Sequence, residues 1–303
     1  MELGDYRRVL HGISGVHATA YGTDGEIDAA LTANIVDSIA ASGVHNIVSG
    51  GNTGEFYSLT MDEVIRLQAI AVEANNGRAA VTAAAGRSLR DAIRLGREAA
   101  KNGCDGVMVH HPLDPFAAPH EQVNYFIGVA EAIDLPVVAY VRSDAIPVAD
   151  LVRLATHPRI VGVKFASNNT LLFADCTRET RGSDATWICG LAETWALPFY
   201  ALGGKGFTSG LVNVAPERSL AVWKALEGGD FARARAIIDS IAEFENLRTL
   251  YRNGANVTVV KEALQIRGLT VGAPRVPNLT RLAPQDRAKL ERIVASWATD
   301  GLV

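Results

Sequence analysis

The chain is poor in cysteine. Cys104, Cys176 and Cys189 are the only three in 303 residues, and no two have CxxC spacing. An odd count without that spacing speaks against a disulfide framework and for reduced, buried thiols. Positive charge is short as well: 29 Lys and Arg stand against 33 Asp and Glu, a formal net charge of −4. A nucleic-acid or anionic-membrane surface would need a basic patch, so neither partner is expected. No apolar run reaches the roughly 18 residues that cross a bilayer. The opening MELGDYRRVLHG has no apolar core of signal-peptide length, and a cytoplasmic location is the expectation. No GxGxxG follows the first apolar run, which speaks against a dinucleotide-binding domain.

What the chain does have is alternation. With 48% apolar and 20% charged residues, its composition is that of a compact domain. Short Val- and Ile-rich runs recur at 13–20, 46–49, 79–85, 106–110, 137–140, 160–165, 187–189 and 206–209. Most lack period-two alternation, so both faces should be buried, as in a parallel sheet. The intervening segments, such as 29–41, 62–74 and 89–102, have helical spacing, and Thr60-Met61-Asp62-Glu63 reads as a capping box. Eight strand–helix units fit an α/β fold of the (β/α)8, or TIM-barrel, type better than a doubly wound sheet. After about residue 230 the strand signals stop, and 231–251, 258–268 and 284–298 read as helices. The expected organisation is a TIM-barrel catalytic domain over 1–229 and a C-terminal helical region over 230–303.

In such barrels, reactive side chains sit at the C-terminal ends of strands. The chain has six lysines, and only Lys164 ends an apolar strand, Ile160-Val161-Gly162-Val163-Lys164. Lys101, Lys224, Lys261 and Lys289 fall on helical segments, where lysine ordinarily lies in solvent, and Lys205 sits in a turn before a strand. Lys164 is therefore a candidate Schiff-base lysine; the alternative is a strand-end lysine reaching a surface carboxylate. A Schiff-base role needs a neutral amine, so the pKa must fall from about 10.4 toward 7–8. That is roughly 4 kcal/mol of bias against the ammonium, which desolvation inside a barrel can supply.

Tyr140 ends the preceding strand, so its hydroxyl could face the Lys164 amine and move protons; the alternative is a core tyrosine with a hydrogen-bonded hydroxyl. Ser49-Gly50-Gly51-Asn52-Thr53-Gly54-Glu55 follows the second strand. Its glycines let backbone N–H groups approach a carboxylate or phosphate, and Thr53 adds a hydroxyl; a plain βα turn reads equally well. His110 and His111 also end a strand, but adjacent strand residues face opposite sides, so they cannot both ligate one metal. A substrate contact or a satisfied structural histidine is the expectation there, and no metal is expected.

Together and in this order, these features resemble the dihydrodipicolinate synthase / N-acetylneuraminate lyase superfamily. Gly51-Asn52-Thr53-Gly54-Glu55 is similar to its carboxylate-binding signature, Tyr140 to its strand-five tyrosine, and Gly162-Val163-Lys164 to its Schiff-base motif. Gly190 and Gly206-Phe207-Thr208-Ser209 also fit. The resemblance implies a lyase that holds a 2-keto acid as an imine on Lys164, with Tyr140 and Thr53 as further catalytic residues. It implies a small-molecule partner, a homotetramer built from dimers, and no metal or organic cofactor. Glu55 is expected to orient its loop.

Three positions depart from dihydrodipicolinate synthase proper. Ala145 stands where that enzyme usually has an arginine, with Arg142 nearby; His110-His111-Pro112-Leu113 replaces an aromatic pair; and Asn52 replaces the first threonine of the signature. Segments 54–60, 140–145, 208–213 and 254–261 are instead similar to 5-dehydro-4-deoxyglucarate dehydratase. On that branch Arg142, Asn52, Ser209 and Asn213 would supply donors to a sugar acid, with Arg142 alternatively pairing at the rim with Asp144 or a helix residue. The expected activity is a dehydratase or aldolase of a deoxy-keto sugar acid. The alternatives are condensation of pyruvate with aspartate semialdehyde and a non-catalytic keto-acid binding protein.

Overall fold

The structure is a computed structural model, and it describes residues 1–297. Eight parallel strands close into a barrel: β1 (Ile13–Val16), β2 (Asn46–Ser49), β3 (Ala80–Ala85), β4 (Gly106–Val109), β5 (Val137–Val141), β6 (Ile160–Phe165), β7 (Trp187–Cys189) and β8 (Gly206–Ser209). β1 pairs with both β2 and β8, which shuts the ring. Nearly every strand residue is buried, as expected where side chains fill the barrel on one side and helices cover the other. Helices α2 (Ala29–Ala41), α3 (Met61–Asn75), α4 (Leu89–Lys101), α5 (Pro119–Ala132), α6 (Val148–Ala155), α7 (Thr170–Glu179), α8 (Glu193–Ala201) and α9 (Pro216–Glu227) connect the strands or follow the last one. The α3 capping box forms as read from sequence, with Thr60 and Glu63 bonding reciprocally.

A short N-terminal helix, α1 (Leu3–Val9), plugs the bottom. Its Tyr6 is fully buried, bonds Thr82 at 2.5 Å, and lies where a side chain on Gly106 would have to go. The first strand is shorter than the apolar run 13–20. Beyond Val16 the backbone leaves the sheet because side chains capture it: Asn213 accepts from the Ala18 N–H at 2.8 Å and Thr32 from the Ala20 N–H at 3.1 Å.

After the barrel come α10 (Phe231–Asn253), α11 (Asn256–Ile266) and α12 (Pro284–Trp297). The expected helix over 284–298 runs one residue past the described residues. In α10 the helical backbone ends early, with Leu250, Tyr251 and Arg252 outside helical φ/ψ. This break turns the chain into α11, which lies across the barrel's upper rim. One hydrophobic core joins barrel residues such as Ile47 and Phe207 to Phe244 of α10 and Val260 of α11. No helix among the described residues is long and apolar enough to cross a membrane.

Candidate active site

A cavity of about 300 Å³ opens at the C-terminal ends of the strands, lined by Lys164, Tyr140, Asn52, Thr53, Arg142, Gly190 and Thr208 among others. Its floor is built by β5 and β6, whose register makes Tyr140 and Lys164 direct partners. Partners in parallel register point to the same face, so the long lysine side chain lies across the tyrosine ring. Lys164 Nζ sits 3.8 Å from the ring centre and 3.9 Å from the Met108 sulfur.

Lys164 is 4% exposed. Burial, followed by the positive charge of Arg142, pulls its amine down to about 7. The ring face favours the ammonium, but desolvation outweighs it. Among the described residues no carboxylate pairs with this amine, so the surface-carboxylate alternative is not realised. The Tyr140 hydroxyl makes no hydrogen bond with the amine, which lies over the ring instead. It accepts a hydrogen bond from Asn52 Nδ2 at 3.0 Å, and burial pushes its pKa up to about 12. An amide can hold this phenol but cannot relay its proton. The Asn52 side-chain oxygen, Oδ1, is buried without a partner among the described residues.

The β2 loop shapes the adjoining wall. Gly51 does not line the cavity; a Cβ there would come within 2.5 Å of Val16, so this glycine lets the loop pack on β1. Asn52–Gly54 then forms a 3₁₀ turn. The N–H groups of Asn52 and Thr53 head that turn, where no preceding carbonyl satisfies them within the helix. The loop is locked from behind by Glu55, which adopts φ 65°. Its carboxylate accepts from Lys261 Nζ at 3.0 Å, the Arg275 N–H at 2.8 Å and Asn278 Nδ2 at 3.4 Å. Glu55 thus orients the loop, as expected.

Lys261 corrects the sequence reading: it is a helical lysine that is fully buried. α11 folds over the β2 loop, and the ammonium meets Glu55, the Ala273 carbonyl at 3.2 Å and the face of Tyr21 at 4.1 Å. Two proposed substrate donors are also corrected. Ser209 is among the residues that line the cavity, but its hydroxyl is turned away from it, meeting that of Ser219 at 3.1 Å and accepting from the Val212 N–H. The alternation along β8 forces this, since Thr208 is the one turned inward, lining the space under Lys164. Asn213 does not line the cavity. Its amide donates to the Val16 and Gly210 carbonyls and accepts from the Ala18 N–H, stapling β8 to β1.

Gly190 does line the cavity, and a Cβ there would come within 2.7 Å of Ala166 and 2.9 Å of the Phe165 carbonyl. Arg142 is exposed at the rim and bonds the Tyr57 hydroxyl; among the described residues it makes no ion pair with Asp144. His110 is the satisfied histidine. It stacks on Phe56 at 4.2 Å, and its ring nitrogens meet the Tyr57 hydroxyl and the Gly50 carbonyl. Burial holds it near 3, hence neutral. Among the described residues no group of three His, Cys, Asp or Glu is placed to hold a metal ion.

The far wall was not anticipated. Glu245, Asn246, Arg248, Thr249, Asn253 and Asn256, from α10, its broken end and the start of α11, face Lys164 across the cavity. Nothing in a helical stretch of charged residues marks it as pocket rather than solvent face. Arg248 is 7% exposed and donates to Glu245 at 2.6 Å and Asn256 at 2.9 Å. Behind it, Glu193 is buried, accepts from Ser219 at 2.6 Å, and is pushed up to about 7 by burial and the nearby Glu245.

A sequence model of the dihydrodipicolinate synthetase family matches residues 9–296. The chain belongs to the dihydrodipicolinate synthetase family. Its fold and its Schiff-base lyase chemistry follow with that membership. A 4-hydroxy-tetrahydrodipicolinate synthase from Methanosphaerula palustris is 34% identical over 266 residues, covering 86% of this chain and 89% of the relative. A solved dihydrodipicolinate synthase from Oceanobacillus iheyensis is 36% identical with a TM-score of 0.95, covering 99% and 100% of the two chains. A prophage protein of the family from E. coli K12, solved in complex with pyruvate, is 26% identical with a TM-score of 0.85, covering 95% and 99%. None of these three bears the name of the sugar-acid dehydratase, so that branch of the sequence resemblance gains no support from them.

Proposed function

We propose that this chain is a class I lyase that captures pyruvate or a similar 2-keto acid as an imine on Lys164. The observation that carries the reading is a buried amine, pulled down to about 7, with no carboxylate against it among the described residues, on the floor of the cavity. The substrate carboxylate docks on the N–H groups of Asn52 and Thr53 and on the Thr53 hydroxyl. The neutral amine adds to the keto carbon, water leaves, and the protonated imine withdraws electrons from the neighbouring carbon. Loss of a proton there gives the enamine that attacks or releases the second reactant. Tyr140 keeps its proton at neutral pH and exchanges it with the substrate oxygen, since Asn52 offers no hydroxyl relay behind it.

For the second reactant, the relatives' name favours aspartate semialdehyde, and we take that condensation as the first reading. The second is a deoxy-keto sugar acid, favoured by the amide and hydroxyl groups of Asn246, Thr249, Asn253 and Asn256 on the far wall. In the same reading the chain assembles as a homotetramer, which sedimentation tests. Incubation with pyruvate and aspartate semialdehyde, and in parallel with 5-dehydro-4-deoxyglucarate, separates the substrates by which one is consumed. Lys164→Ala should abolish either reaction. Turnover that survives that substitution overturns the proposal, and keto-acid capture without any product points to a binding protein instead.

A further inference from the structure

We propose that Arg248 completes the carboxylate site, donating from its free amino group to the same substrate carboxylate that Thr53 receives. The inference rests on the Schiff-base reading above and names a residue in it that no strand-end argument reaches.

Three observations converge. Arg248 lines the cavity that holds Lys164 and Thr53, although its side chain is almost wholly buried. Its position is fixed by two hydrogen bonds, Nη1 to Glu245 at 2.6 Å and Nε to Asn256 at 2.9 Å, which leave Nη2 without a hydrogen-bond partner among the described residues. Gly210, just past β8, shows where that group lies: a Cβ added there would sit 2.5 Å from Arg248 Nη2 and 3.0 Å from Thr53 Oγ1. The guanidinium and the hydroxyl therefore both lie against Gly210 at the edge of the cavity, within reach of one small ligand group, and a side chain at Gly210 would collide with the guanidinium.

The chemistry suits a carboxylate. A guanidinium presents donors in a fork, and here Glu245 holds Nη1 and Asn256 holds Nε, which leaves Nη2 as the donor to a ligand. Burial raises the worth of a hydrogen bond from Nη2, since an ionic contact strengthens as the local dielectric falls. Glu193, the other carboxyl beside this arginine, is drawn toward its neutral form, which leaves Arg248 facing one protein carboxylate rather than two.

The test is borohydride trapping on Lys164, read as the half-saturating concentration of pyruvate and of pyruvamide, its uncharged analogue. Arg248→Gln should raise the value for pyruvate about 10- to 100-fold, the range for a charge-assisted hydrogen bond, and leave pyruvamide within about twofold. Arg248→Lys should recover part of the loss. Glu245→Gln should act in the opposite direction and tighten pyruvate, because it frees the guanidinium from a competing anion. Equal weakening of both ligands in Arg248→Gln, or no change in either, overturns the proposal. If that variant does not fold, weaker or unchanged pyruvate capture in Glu245→Gln overturns it. An absence of any adduct in the unsubstituted protein removes the Schiff-base reading itself, whereas a normal adduct that is indifferent to Arg248 removes this inference alone.

Discussion

Two lysines are buried in this protein, and their surroundings differ in one decisive respect. Lys261, under the β2 loop, is paired: Glu55 lies 3.0 Å away and a backbone carbonyl takes a second proton. Lys164, on the barrel floor, has a ring face, a thioether and a distant arginine around it. Burial works against both charges. At Lys261 the carboxylate offsets part of that penalty, although burial still draws the amine below its ordinary value, and the side chain becomes a bolt holding α11 to the loop. At Lys164 no carboxylate among the described residues offsets it, the ring face does so too weakly, and the proton is held weakly. Burial alone does not make a lysine reactive; burial without a counter-charge does.

The largest expected effect is at the unpaired site. Lys164→Met should lower turnover by on the order of 10⁴-fold or more, the scale seen when an enzyme loses its nucleophile. It should also stabilise the fold. The folded amine titrates near 7 and the unfolded one near the usual 10.5. Between those values the unfolded chain binds the extra proton, so stability falls as pH drops through that window and the full penalty applies below it. Methionine removes a penalty on the order of 4 kcal/mol at neutral pH, and urea denaturation should show a higher midpoint.

The paired site should behave in reverse. Lys261→Met or Glu55→Gln alone leaves a buried charge without its partner and should cost about 3–5 kcal/mol in the same urea assay. The double substitution should recover much of that loss. Loss of stability at Lys164 and none at Lys261 would break the comparison.

Smaller effects sharpen it. The rate of adduct formation with saturating pyruvate should rise with pH through a midpoint near 7 and then level off, as the neutral amine becomes fully populated. Arg142→Ala should move that midpoint to higher pH, because its positive charge is the second cause of the depressed value after burial. A midpoint that stays put would mean that desolvation acts alone.

Much of the barrel could be read from the residues. The bounds of β2, β6, β7 and β8 coincide with the apolar runs, because strands buried on both faces end where the run ends. Lys164 and Tyr140 were legible for the same reason, since a polar group closing such a run has only the barrel mouth to enter. Ser209 was misread against a rule already applied to His110 and His111: of two neighbours on a strand, one faces away. Lys261 and Arg248 were not legible at all. Helical spacing gives a face but not what packs on it, and Lys261 finds its partner 206 residues away. Asn213 was misplaced because a loop amide close to a pocket can as readily tie two strands together.

Peptide mapping after borohydride reduction with pyruvate compares the two lysines in one experiment. The account predicts the reduced adduct on the peptide carrying Lys164 and none on the peptide carrying Lys261. An adduct on Lys261, or on neither, would contradict it.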